Sequence, residues 1–332
     1  MDKSFHQKFL AEYNRLNHEQ KLAVDTIEGP VMVIAGAGTG KTQTIAVRIG
    51  RILDQTQVNP SNVLCLTFTE NAALNMRDRL IKLVGPDGYG VRISTFHGFC
   101  NSVIKDHPEY FLTSAVESQP IDDITQIEVI RSLIDSLPSS SPLKNFNSPY
   151  FHQKDIISSL SSLKKENISP PDFDRLIQDS ADFIATAVPV LEKISSLRAS
   201  KKTESEIVSH IRLLSLNPAI NVLYQSRLTY FLKLFELAQT SLSQLKQKVK
   251  DFIQKTQINL PKIQDLSRLY HRYQEILQQR GLYDYEDMIL WVIDAFSRHR
   301  DLLATYQEIY QYILVDEFQD TNSSQMGIIN LL

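Results

Sequence analysis

Cysteine is scarce in this chain: Cys65 and Cys100 are the only two among 332 residues. Two thiols make no disulfide framework, and Cys65, set in an apolar run, reads as a small buried hydrophobe. Long apolar stretches are missing as well. Nothing approaches the roughly 18 consecutive apolar residues of a membrane span, and the opening MDKSFHQKFLAEYN lacks the apolar core of a secretion signal. A cytoplasmic protein with no membrane partner is therefore expected. Charge of one sign is not in excess either. The formal net charge is -3, so a nucleic-acid partner has to be argued from local sites. No internal repeat is visible. What remains is ordinary globular material, 42% hydrophobic and 22% charged, in a length that accommodates two domains.

The texture is uneven along the chain. Residues 1–110 alternate strand-like and helix-like segments. VMVIAG (Val31–Gly36), NVLCLTFT (Asn62–Thr69) and VRISTF (Val91–Phe96) read as buried parallel strands. Between them, Ile45, Ile49 and Ile52 share one helical face, and Ala73, Met76, Leu80 and Leu83 another. Such alternation predicts an α/β fold with a parallel sheet covered on both faces. From 111 to 280 strand signals nearly vanish and helical patterns dominate, clearest at Leu266, Leu269, Tyr270, Tyr273 and Leu277. This stretch is expected to be a helical insertion, broken at Ser136–Pro149, where a mobile loop is expected, and at Ile168–Phe173. After Gly281 the α/β texture returns, with a buried helix over Met288–Phe296 and a strand within Tyr310–Phe318.

Two motifs carry chemistry, near opposite ends of the chain. AGAGTGKT (Ala35–Thr42) follows a predicted strand and opens a predicted helix, the context in which a glycine-rich loop cradles phosphates. Gly36, Gly38 and Gly40, with Ala37 and Thr39 between them, let backbone amides turn toward an anion at a helix N-terminus. Lys41 is placed to reach the β- and γ-phosphates and Thr42 to ligate magnesium; Thr44 is one turn on. Ala35 stands where the strict pattern has glycine, and a small residue still permits the turn. VDEFQD (Val315–Asp320) places Asp316 at the C-terminal edge of an apolar strand, where open α/β sheets bind ligands. There a carboxylate can hold magnesium, and Glu317 beside it can polarise an attacking water. Nucleoside triphosphate hydrolysis is the leading reading, with Mg as cofactor.

With these two motifs, three further segments resemble superfamily 1 DNA helicases of the UvrD/Rep/PcrA type. LNHEQKLAV (Leu16–Val24) resembles the Q motif, with Gln20 as the adenine-reading glutamine. LTFTENAALNMRDR (Leu66–Arg79) is similar to motif Ia and ISTFHGFC (Ile93–Cys100) to motif Ib, while VDEFQDTNSSQ (Val315–Gln325) resembles motif II. LYDYEDMI (Leu282–Ile289) and LSSLKKENISPPDF (Leu160–Phe173) are similar to stretches flanking and within the family's inserted subdomain.

The resemblance implies a RecA-like P-loop ATPase domain over 1–110 and 281–332, interrupted by a helical subdomain over 111–280. It implies a single-stranded DNA track lined by Thr67, Phe68, Thr69, Asn71, Thr95, Phe96 and His97. By residue type alone Phe68 and Phe96 end apolar strands, a core position, and His97 suits a structural role. Gln319 is implied to sense the γ-phosphate, with Asp320 supporting the site. Partners implied are single-stranded DNA, single-strand/duplex junctions and a second motor half, with a role in repair or replication. Lys164 and Lys165 are candidate DNA contacts, whereas the lysines of Gln244–Lys255 suit a solvated helix face. The family's later arginine-bearing motifs do not occur by Leu332, so this polypeptide alone is expected to bind nucleotide weakly and turn it over slowly. The motor part of a helicase–nuclease and a non-catalytic nucleotide- or DNA-binding module are the alternatives.

Overall fold

The structure is a computed structural model that describes residues 3–36, 38–111 and 117–332. Contacts divide it into two compact units: residues 1–120, 164–167 and 281–332, and residues 121–163 and 168–280. The sequence places the boundary near 110 and gives all of 111–280 to the insertion. The contacts move that boundary by ten residues and assign 164–167 to the first unit.

The first unit opens with α1 (Lys3–Arg15), α2 (His18–Asp25), α3 (Lys41–Gln55), β1 (Val63–Thr67), α4 (Glu70–Val84), the single turn α5 (Asp87–Gly90), β2 (Arg92–Thr95), α6 (Phe96–Asp106) and β3 (Gln119–Pro120). The chain returns to it with β4 (Leu282–Tyr283), α13 (Tyr285–Arg298), α14 (Arg300–Ile309), β5 (Tyr312–Val315) and α15 (Ser323–Leu331). Strands β2, β1 and β5 form a parallel sheet in that order, with Leu64 opposite Arg92 and Ile313.

Every residue of β1 is buried, and the two-residue period of the strand sorts them. Val63 and Cys65 join Ile49, Ile52, Met76 and Leu80 in one core. Leu64 and Leu66 join Phe96, Phe99, Ile289 and Val292 in the other. Both cysteines are free and buried, as the apolar setting of Cys65 suggests. Burial pushes the Cys65 thiol up to about 12.

One expected strand is absent. Val31–Gly36 forms no ladder, and Met32, Val33 and Ile34 are 75%, 49% and 88% exposed. A strand exists only through its pairing, and this run makes none with β5, whose outer edge stays open among the described residues. A cleft of about 440 Å³ runs along that edge, lined by Ile27, Gly29, Arg48, Tyr312 and Leu314 among others.

The second unit is helical, as expected: α7 (Asp123–Ser136), α8 (Gln153–Lys165), α9 (Pro170–Ser196), α10 (Glu204–Ser215), α11 (Val222–Glu236) and α12 (Leu242–Gln279). The last two residues of α8 count with the first unit. The long helices α9 and α12 pack along each other, and Phe183, Ile194, Leu228, Leu245, Val249 and Ile253 form their core with α10 and α11. Leu269, Tyr270, Tyr273 and Leu277 are buried on one face of α12, with Leu266 partly so. The lysines of Gln244–Lys255 lie off the buried stripe, and Lys246 donates to the Ser195 and Leu197 carbonyls at the end of α9. Ser136–Pro149 is irregular but pinned. Ser141 is buried and donates to Asp265 Oδ2 at 2.5 Å, and Lys144 donates to the Asp135 and Leu137 carbonyls. Among the described residues no helix is long and apolar enough to cross a membrane.

Candidate nucleotide site and polynucleotide track

The loop ahead of α3 is shaped by glycine. Gly38 and Gly40 take φ of 73° and 84°, a left-handed conformation that side chains disfavour, and Gly40 caps the helix. Thr39 Oγ1 closes the loop by donating to the Gly36 carbonyl at 2.7 Å. Ala37 lies outside the described residues. Ala35 is half-buried, and Gly36, Gly38, Thr39 and Gly40 are exposed. Gln20 sits beside the loop: its Nε2 donates to the Thr39 carbonyl at 3.0 Å, and its Oε1 accepts from Asn17 N in a reciprocal cap of α2. Both ends of its amide are thus engaged with backbone. Thr44 is buried and its hydroxyl donates to the Gly40 carbonyl, so it braces the loop.

The sheet brings the other half-site to this loop. Asp316 N donates to the Leu66 carbonyl at 2.9 Å, which continues the β1–β5 ladder and fixes the acid at the strand's end. Thr42 Oγ1 then lies 3.4 Å from Asp316 Oδ2, and Lys41 Nζ lies 3.7 Å from Glu317 Oε2. Glu317 turns there through a left-handed φ of 52°, and its N–H donates to Asp316 Oδ1. Burial pushes the Asp316 carboxyl above its usual range; the Glu317 carboxylate adds to this, against the Glu317 N–H, the Thr42 hydroxyl and Lys41. Gln319 Nε2 donates to Glu317 and to Asp320. Glu12, outside every quoted motif, and Arg79 hold Gln43 from two sides at 3.0 and 2.9 Å.

The expected polynucleotide track divides into residues that face outward and residues that do not. Phe68 is partly exposed and meets Phe96 edge-on at 6.3 Å; Thr69 and Asn71 are exposed. Thr69 also caps α4 by accepting from Ala72 N. Thr67, Thr95 and Phe96, expected on the track, are buried instead. The Thr67 hydroxyl donates to the Thr69 carbonyl, and Thr95 caps α6 while donating to Glu70 at 2.8 Å. Phe96 belongs to the core because the first turn of α6 points it inward. An acid in the first turn of a helix after Thr69 was the available signal for Glu70.

His97 is half-buried, edge-on to Tyr285 at 6.1 Å. Burial holds its imidazole below the usual histidine range and Lys165 adds to this, against the pull of Glu286. Its Nε2 and the Glu286 Oε2 are both buried without a hydrogen-bond partner. Lys164, a candidate DNA contact by sequence, is fully buried between Asp284 and Asp287, at 2.5 and 2.7 Å. Lys165 keeps half its side chain exposed but pairs with Glu286 at 3.7 Å.

A phosphate-type loop faces a strand-end acid pair, one sheet position from a strip bearing an exposed aromatic. Comparison with known proteins finds DNA helicases similar to this chain. ATP-dependent DNA helicase PcrA of Staphylococcus aureus (strain Mu50 / ATCC 700699) is 27% identical over 321 residues, covering 96% of this chain and 32% of that protein. PcrA of Staphylococcus epidermidis (strain ATCC 12228 / FDA PCI 1200) is 27% identical over 319 residues, covering 96% and 31%. The chain spans about a third of the length of these curated relatives. Residues 16–332 match the family described as UvrD/REP helicase N-terminal domain, and the chain belongs to that family.

Proposed function

We propose that this chain is the ATP-binding part of an ATP-dependent DNA helicase that moves on single-stranded DNA and unwinds duplex at junctions. The observation that carries the reading is the meeting of Thr42 and Asp316 at 3.4 Å, two oxygens from opposite ends of the chain. Magnesium bonds oxygen at about 2.1 Å in near-octahedral geometry, so two oxygens at this spacing suit one ion. Thr42 and Asp316 would hold it, and it would supply charge neutralisation on the phosphates.

The other roles follow from partners already in place. Lys41 makes a long, half-exposed pairing with Glu317, and a triphosphate offers that ammonium a stronger one. Glu317, released from Lys41, is the group available to orient a water and take its proton. Gln319 already touches Glu317 and is placed to follow its state. Phe68 offers a ring face for base stacking, a contact of about 1–3 kcal/mol per base that reads no sequence. A pure binding module has no use for Glu317, which favours the motor reading. The opposing face of the nucleotide, with its arginines, falls to a second motor half.

The test is binding of a fluorescent ATP analogue to this chain with and without magnesium. Losing one charge-assisted contact of about 1.5–3 kcal/mol in Lys41→Ala should weaken affinity by about ten- to a hundredfold. Turnover by the chain alone should stay slow with or without single-stranded DNA. Affinity indifferent to both Lys41→Ala and magnesium would remove the basis of the assignment.

A further inference from the structure

Three consecutive residues, Lys164, Lys165 and Glu166, grip two helix starts of the first unit. Lys164 Nζ sits between two carboxylates that are themselves a helix cap. Asp284 Oδ1 accepts from Asp287 N and Asp287 Oδ2 accepts from Asp284 N, which leaves Asp284 Oδ2 and Asp287 Oδ1 for the lysine. Lys165 pairs with Glu286 in the same turn of α13. Glu166 accepts from the hydroxyl of Ser323, the first residue of α15, in the same Val315–Gln325 segment as Asp316 and Glu317.

The two gripped elements lead to the two parts of the proposed machinery. The first turn of α13 carries Tyr285 against His97 at the start of α6, where the adjacent Phe96 meets the exposed Phe68. Helix α15 follows the strand-end acids after one short turn, and α13 packs against both α6 and α15. A fully buried lysine is costly unless both its partners are held in place, so the cap of α13 has one favoured arrangement. The Glu166–Ser323 bond is exposed and single, the kind of contact that can be made or released without unfolding the chain.

We propose that Lys164–Glu166 is a positioning element that couples the polynucleotide track to the nucleotide site, with Lys164 as the fixed anchor and Glu166–Ser323 as the adjustable tie. The inference rests on the helicase reading above. Neither Lys164 nor Glu166 is a catalytic residue, since both act through α13 and α15.

The experiment measures linkage on the chain itself. Affinities for mant-ADP with magnesium, and for fluorescein-labelled oligo-dT, are determined alone and with the other ligand saturating. The ratio of the two is the coupling, typically fivefold or more where two sites communicate. Glu166→Gln with Ser323→Ala should leave each separate affinity within about twofold and bring the ratio close to one. Lys164→Met tests the anchor, and the surface pair keeps the inference testable should that variant fail to fold. A wild-type ratio of one, or an unchanged ratio in the surface double variant, overturns the proposal. Failure of the wild-type chain to bind either probe overturns the functional reading first, and this inference with it.

Discussion

Asp316 shows how one side chain can carry a site's pH dependence. It is nearly buried at the end of β5, and burial raises its carboxyl pKa above the ordinary range. Only the ionised form is a good magnesium ligand. Magnesium-dependent nucleotide affinity should therefore begin to fall, as pH is lowered, at a higher pH than an exposed aspartate would give. Asp316→Asn should abolish the magnesium dependence and leave magnesium-free binding in place. Titrating affinity against pH, with and without the ion, checks both; an Asn variant that keeps full magnesium dependence would assign the ligand elsewhere. The residue types at Lys41, Thr42 and Asp316 were legible in the sequence, because loop and strand-end chemistry is local. The partners of Gln20 and Thr44 were not, because a glutamine amide or a threonine hydroxyl serves backbone and ligand equally well. The structure spends both on the loop.

At the scale of elements, α13 is capped by two acids that share one cation. Burial raises Asp284 to about 6 from the ordinary 3.8; Lys164 opposes the rise and Asp287 adds to it. One lysine balances one carboxylate, so the second prefers to keep its proton. Between about pH 4 and 6 the folded chain holds a proton that the unfolded chain has released, and stability falls as pH rises through that window. Asp284→Asn removes the titration. Its stability relative to wild type should improve steadily from pH 4 to 6 in urea unfolding, and a difference that stays flat would contradict the assignment. The same helix marks where sequence reading stopped. Its apolar face over Met288–Phe296 was visible as a pattern, as were the faces of α3 and α4. By sequence Lys164 and Lys165 are candidate DNA contacts, because nothing local shows that an acid 120 positions away helps form a pocket for Lys164. Thr67, Thr95 and Phe96 are buried for a related reason: burial at a strand's end or in a helix's first turn depends on which elements cover it.

For the molecule as a whole, the sheet was legible in its middle and misread at its side. Val63–Thr67 and Val31–Gly36 look alike as apolar runs, yet only the first has neighbours on both edges. Pairing is a non-local property, which an apolar run alone does not record. An open strand edge beside an exposed apolar segment has a consequence for solution behaviour. The edge of β5, unpaired among the described residues, and the exposed Met32, Val33 and Ile34 offer another copy a template for strand addition. The isolated chain should self-associate as its concentration rises, seen as a growing weight-average mass in sedimentation. Met32→Lys should suppress that growth, since a charge on an edge-seeking segment blocks stacking; a wild-type chain that stays monodisperse would refute it. The run that leads into the phosphate loop would then also set an upper limit on the concentration at which the chain can be handled.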